Sequence, residues 1–412
     1  MKEYIKEIEG GICAPKAFYA AAAAAGIKYQ GRTDMALIYS EEPCITAGTF
    51  TSNLVKAAPV KWDMRIVENG TPVRAVVVNS GIANAATGKQ GMEICDKTAE
   101  KMSGLYKGEK DSVLVASTGV IGMQIDQDKI CRGCELLFAA KADTGEAATA
   151  AAKAIMTTDT HKKEIAVSVE LTDGSLVHIG AMTKGSGMIH PNMCTMLGFV
   201  TTDAAIDKKL LQKILKEVVD ESFNMISVDG DTSTNDTYVV LANGAAGNAK
   251  IDSEGEDLER FKEALMYVSV YLAKQMAGDG EGATALFECH VYNASDREAA
   301  KKLAKSVVCS SLCKAAIYGH DSNFGRFLCA LGYAGTDFDP DKVDLYYESA
   351  AGKLKIVENG MGTGYDEEEA TKVLSEEAVT VHVDMHEGSA EATAWGCDLS
   401  YDYVKINADY RS

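Results

Sequence analysis

The chain has 412 residues, 46% hydrophobic and 25% charged, with a formal net charge of -19 and a pI near 4.9. Single hydrophobic cores stop growing at roughly 250 to 300 residues, so this length calls for two or three packed units. The acidic balance excludes nucleic acid as a partner, because phosphates demand a basic surface, and leaves a cationic small molecule as a natural ligand.

No apolar run reaches the roughly 18 residues of a membrane-spanning helix, and "AFYAAAAAAG" at 17–26 is too short and too small-sided. The acidic opening "MKEYIKEIEGGICAPK" lacks the basic and apolar regions of a signal peptide, so a cytoplasmic protein is expected. Eleven cysteines, an odd number without a secretory signal, fit reduced thiols. One CxxC occurs, Cys131 to Cys134, without a second pair at finger-like spacing, and no metal is assigned.

Taken in chain order, the β-prone runs "MALIYS", "ITAGTFTS", "VRAVVVNS" and "SVLVAST" alternate with helical patterns at about 92–106 and 127–156. Within the second pattern, "DTGEAATAAAKAIM" opens on a capping pair and is rich in alanine, so it should deliver "TTDT" at its end. Two alternating strands then flank Asp173-Gly174, a hairpin signal that leads into Lys184-Gly185-Ser186-Gly187.

Beyond residue 195 the pattern predicts a strand, helices at about 204–222, 257–276 and 294–316, and the strands "TYVVLAN" and "ATALFECHVYNA". Strands are expected to dominate the C-terminal part, which ends in "VKINADYRS". This mixture predicts α+β layers, with two similarly patterned halves meeting near residues 194 and 195.

Phosphate-loop, zinc-helix and GxSxG signatures are absent, and the glycine-dense segment 278–282 follows a helix, the wrong context for a dinucleotide fingerprint. His382 and His386 fall in an alternating run where both would share a strand face. The remaining candidates are small-residue loops after strands: "NSGIANAATG" at 79–88, "STGVIG" at 117–122 and "SVDGDTSTNDT" at 227–237. A strand end presents backbone N–H groups and hydroxyls that can hold an oxyanion, and several such loops together indicate a polar cleft.

These loops, with "APKAFYAAAAAAGIK", "FTSNLVKAAPV", "IMTTDT", "TKGSGMIHPNMCTMLGFVTTDA", "GDGEGAT", "NFGR" and "YVKINADYRS", occur in an order that resembles the ornithine acetyltransferase family. The family comprises the bifunctional glutamate/ornithine N-acetyltransferases of arginine biosynthesis. The resemblance implies an α+β fold of layered sheets between helices, of the DmpA/ornithine acetyltransferase kind. It also implies a precursor that cuts itself before a threonine, here between Cys194 and Thr195, giving chains 1–194 and 195–412 that commonly assemble as two α and two β chains.

On this resemblance Thr195 is the nucleophile, Thr118 and Gly119 form the oxyanion hole, and Thr158, Lys184, Thr195, Glu281, Asn407 and Ser412 meet substrate. Lys184 suits a carboxylate and Glu281 an ammonium group. The substrates implied are N-acetylornithine and glutamate, with acetyl-CoA left open as a second donor and no cofactor required. Cys194 departs from the family's usual alanine, Ile82 from an asparagine, and "HDSNFGR" from "DPNWGR". Two rivals stay open: an amidase that hydrolyses its acyl-enzyme at the same Thr195, and an amino-acid-binding protein that never cleaves. Cys194, intrinsically the stronger nucleophile, is the alternative to Thr195.

Overall fold

The computed structural model of the chain describes residues 2–190 and 196–409. The expected nucleophile Thr195, its neighbour Cys194 and the terminal Ser412 therefore lie outside the described residues. Among the described residues, nine strands form one sheet and seven another, flanked by helices, an α+β layering as anticipated.

The first sheet runs in the order Ile5–Ile8, Lys163–Glu170, Leu176–Lys184, Leu197–Thr202, Thr237–Ala242, Met35–Phe50, Val73–Asn79 and Val113–Ser117, with Phe18–Ala23 paired to Met35–Phe50. Two strands from the second half of the chain thus sit between strands from the first half. The second sheet is built wholly from residues 226–397. Helix Glu256–Gly278 packs against both sheets, burying Leu258, Phe261, Leu265, Val268 and Leu272. Helices Ala58–Asn69, Gly88–Leu105, Gln127–Ala140 and Gly145–Ala154 pack around the other end of the first sheet, over a separate core that includes Trp62, Ile66, Met102 and Leu137.

Local chemistry explains where the elements differ from expectation. The pattern at 127–156 is two helices, because Thr144 accepts a hydrogen bond from the Ala147 N–H and starts the second one. The pattern at 294–316 divides likewise at Ser310, whose hydroxyl caps Ser311–Tyr318. "MALIYS" and "ITAGTFTS" fuse into the single strand Met35–Phe50, with a register irregularity between Tyr39 and Cys44. Helix Ala58–Asn69 was not anticipated, although Pro59 near its start and left-handed Gly70 (φ 73°) at its end are ordinary boundary signals. The tail corrects the strand reading: Tyr401–Asp409 is a helix.

Candidate active site

The register of the first sheet lines up one row across four strands, because Lys184 pairs with Leu197, Leu197 with Thr237, and Thr237 with Phe50. Chain segments leaving this row converge on a cavity of about 150 Å³. That is below the roughly 300–1,000 Å³ of pockets for drug-sized ligands, and fits a single amino acid better than a polymer. Thr118, Gly119, Thr158, Lys184, Glu281 and Asn407 all line it, as do Met196 and Asp236. Six of the expected site residues, separated by up to 289 positions in the chain, are therefore brought together.

The oxyanion-hole candidates are held by two parallel strands whose ends are in register, Asn79 opposite Ser117. The Asn79 side chain accepts from the Ser117 hydroxyl at 2.7 Å and donates to the Ile82 carbonyl at 2.8 Å, tying the two loops together. Val120 N–H donates to the Gly81 carbonyl and Ala83 N–H to the Val120 carbonyl, while no acceptor takes up the Gly119 N–H among the described residues. Gly119 has φ +128°, and a Cβ there would stand 2.3 Å from the Gly81 carbonyl carbon, so only glycine fits. The loop at 79–88 thus supports its neighbour through Asn79 and backbone groups, while Ile82 is buried.

Lys184 ends its strand with its ammonium 3.3 Å from the Thr118 hydroxyl and 4.0 Å from Asp159. Burial holds the Lys184 pKa below its ordinary value, against the pull of Asp159. Asp159 itself accepts from Lys163 Nζ at 2.8 Å and from the N–H groups of Gly185 (2.7 Å) and Thr157 (3.0 Å). Burial disfavours its charge, but Lys184 and Lys163 outweigh that and keep the carboxyl below the usual range. Lys163 also reaches Asp279 at 2.5 Å, whose backbone carbonyl accepts from the Ser186 hydroxyl. This buried network fixes "TTDT", the Lys184 loop and the glycine-dense segment relative to one another.

Glu281 follows directly in that segment: its N–H donates to the Ser186 carbonyl, and its carboxylate accepts from Asn407 Nδ2 at 2.8 Å. A Cβ on Gly187 would lie within 2.5 Å of the Glu281 carboxylate, and left-handed Gly282 (φ 72°) lets the tail helix approach. The helical tail thus places Asn407 over Glu281. Thr157 and Thr158 both face the cavity, whereas the Thr160 hydroxyl is taken by Asp279.

A family model described as the ArgJ family matches residues 19–412. The chain belongs to the ArgJ family. It is 51% identical over 397 residues to the arginine biosynthesis bifunctional protein ArgJ 1 of Clostridium acetobutylicum, with 96% of each chain covered. A crystal structure of arginine biosynthesis bifunctional protein argJ from Bacillus halodurans is 46% identical, covering 52% of this chain and 98% of that one, with a TM-score of 0.49. A Mycobacterium tuberculosis ornithine acetyltransferase complexed with ornithine is 36% identical, covering 47% of this chain and all of that one, with a TM-score of 0.42.

This ArgJ-family site also contains residues that motif reading passed over. Asp159 and Asp279 lie inside "IMTTDT" and "GDGEGAT" without standing out there, and Lys163 lies in no motif, since their pairing joins segments distant in sequence. Asn235 donates to the carbonyls of Ala83 (2.6 Å) and Ser117 (2.8 Å), joining the 227–237 loop to both small-residue loops. In the same loop Asp229 accepts from the N–H groups of Met188 and Ile189, so it braces backbone.

The histidine pairing is corrected. His382 lies on its strand 3.3 Å from His290, but His386 is beyond the strand end at φ 49° and turns toward Asp344. Cys131 and Cys134 share helix Gln127–Ala140 as free thiols, with Cys134 pushed up to about 12 by burial. Among the described residues no three histidine, cysteine or acidic side chains are grouped to hold a metal ion, and no helix is long and apolar enough to cross a membrane.

Proposed function

We propose that this chain is a self-processing acetyltransferase of arginine biosynthesis, moving an acetyl group from N-acetylornithine to glutamate through an acetyl ester on Thr195. The observation that carries the reading is the convergence of Thr118, Gly119, Thr158, Lys184, Glu281 and Asn407 on one amino-acid-sized cavity beside Met196. Membership of the ArgJ family over residues 19–412 supports it.

In this reading cleavage before Thr195 releases its α-amine, which titrates near 7.7–8.0 in peptides and can take the hydroxyl proton around neutral pH. The hydroxyl attacks the acetyl carbonyl and the developing oxyanion is held by the Gly119 N–H and the Thr118 hydroxyl. Ornithine leaves, glutamate enters, and its amine takes the acetyl group. The Lys184 ammonium beside Thr118 suits a substrate carboxylate, and the Glu281 carboxylate suits a substrate ammonium. Ser412 completes the substrate contacts. The cycle uses no cofactor, and acetyl-CoA would enter as a second acetyl donor. We place the enzyme in the cytoplasm, as two α chains (1–194) and two β chains (195–412).

Intact mass spectrometry of the purified protein, with and without N-acetylornithine, tests this. Two fragments meeting at Cys194/Thr195, with one acetyl group on the C-terminal fragment that glutamate removes, are expected. An acetyl group on the N-terminal fragment would transfer the role to Cys194. Loss of the acetyl group to water at the same rate without glutamate would make the protein an amidase.

A further inference from the structure

The self-cutting step raises a chemical problem that acetyl transfer does not. Before the cut, the nitrogen of Thr195 is an amide and cannot act as a base, so the amine that serves transfer does not yet exist. The uncut chain needs another group to take the hydroxyl proton.

Asp236 is placed for this. It immediately precedes Thr237, which pairs with Leu197 across a parallel ladder and donates its N–H to the Met196 carbonyl at 2.8 Å. The carboxyl therefore lies on the strand alongside the point where the chain resumes after Thr195. It is 1% exposed and lines the cavity with Thr118, Gly119 and Lys184. Among the described residues neither carboxylate oxygen has a partner at hydrogen-bond distance, although the Ser233 and Thr51 hydroxyls and the Met196 N–H lie near enough to favour its charge. The Thr51 hydroxyl, a near neighbour, is already committed to the Ser233 carbonyl at 2.7 Å.

Buried carboxyls are ordinarily satisfied, and an orphan in a reaction cavity calls for an explanation. Asp159 shows the alternative behind the Lys184 loop, engaged by a lysine and two N–H groups. Burial raises the Asp236 pKa well above the carboxylate range, which makes its ionised form a stronger base than a solvated aspartate. Lys184, also on the cavity wall, favours that ionised form.

We propose that Asp236 is the general base and acid of self-cleavage, a role resting on the reading of Thr195 as the nucleophile. The carboxylate takes the Thr195 hydroxyl proton as the oxygen bonds to the Cys194 carbonyl carbon. The carbon–nitrogen bond then breaks, and the departing nitrogen takes the proton back from Asp236. Water hydrolyses the resulting ester, leaving a Cys194 carboxylate and the free hydroxyl and amine of Thr195. The base used once in the precursor is thus replaced by the amine that the cut creates.

The test follows conversion of freshly synthesised full-length chain to its two fragments by intact mass, for the wild type, Asp236→Asn, Asp236→Ala and Thr195→Ala. General acid–base groups typically contribute roughly 100- to 10,000-fold, so Asp236→Asn is expected to slow cleavage by about 100-fold or more. Added formate, a small carboxylate, is expected to restore cleavage in Asp236→Ala, which a merely structural defect would not permit. Cleavage of Asp236→Asn at the wild-type rate, or failure of formate to accelerate Asp236→Ala, would overturn the proposal. Cleavage of Thr195→Ala would instead sink the nucleophile reading, whatever Asp236 does.

Discussion

At the scale of single residues, two aspartates on either side of Lys184 have opposite electrostatic fates, and stability should record both. Asp159 is ionised against burial because Lys163 and Lys184 face it. Its depressed pKa means that its contribution to stability is present above the unfolded value of about 3.9 and drains away as pH falls below it. Asp236 has a raised pKa, so the fold favours its protonated form and loses stability as pH rises from about 3.9 toward the folded value. Asp159→Asn, which leaves buried lysines unpaired, should therefore cost about 3–5 kcal/mol near neutral pH, and progressively less as pH falls below about 3.9 toward the folded value. Asp236→Asn should raise the melting temperature at pH 8 and leave it nearly unchanged at pH 4. Thermal melts of both variants across that range check the signs, and equal shifts at every pH would mean that charge is not the cause.

At the scale of elements, the site is a meeting of loops, and Asn235 is the pin between three of them. Its amide donates to two carbonyls from separate loops, and Thr234 in turn donates to its oxygen at 2.6 Å. Asn235→Ala would leave both buried carbonyls unsatisfied, at roughly 1–3 kcal/mol each. Loss of about 2 kcal/mol or more in denaturant melts should then accompany accumulation of uncut chain. An Asn235→Ala protein that melts like the wild type would show the pin to be dispensable. The three small-residue loops were readable as site candidates because each follows a strand and is rich in residues tolerant of tight turns. What joins them was not readable: an asparagine bridge has no motif, and its partners lie 152 and 118 positions away. The tail helix was hidden for a related reason. Its described residues are all exposed or half-buried, so no apolar stripe marks it, and Asn407 reaching Glu281 gives it its place.

At the scale of the whole molecule, the alternation of strands and helices announced α+β layers, but sequence periodicity cannot say which strands are neighbours. The decisive fact is the insertion of Leu197–Thr202 and Thr237–Ala242 between Leu176–Lys184 and Met35–Phe50. Both strands follow the expected cut, and both of their outer neighbours precede it. The fragments would share an antiparallel ladder on each side, with Lys184 paired to Leu197 and Phe50 to Thr237. Their side chains, among them Phe199, Val200, Val239 and Val240, are completely buried. Separating the fragments would expose these apolar side chains and two rows of backbone hydrogen-bonding groups, so cleavage should leave the sheet intact. Cut protein is accordingly expected to elute from a native sizing column with both fragments in one peak, and to divide only in denaturant. Fragments that part in native buffer would contradict the shared sheet. Joint elution would also have a mechanistic consequence, since the proposed oxyanion hole and Lys184 precede the expected cut while Glu281 and Asn407 follow it.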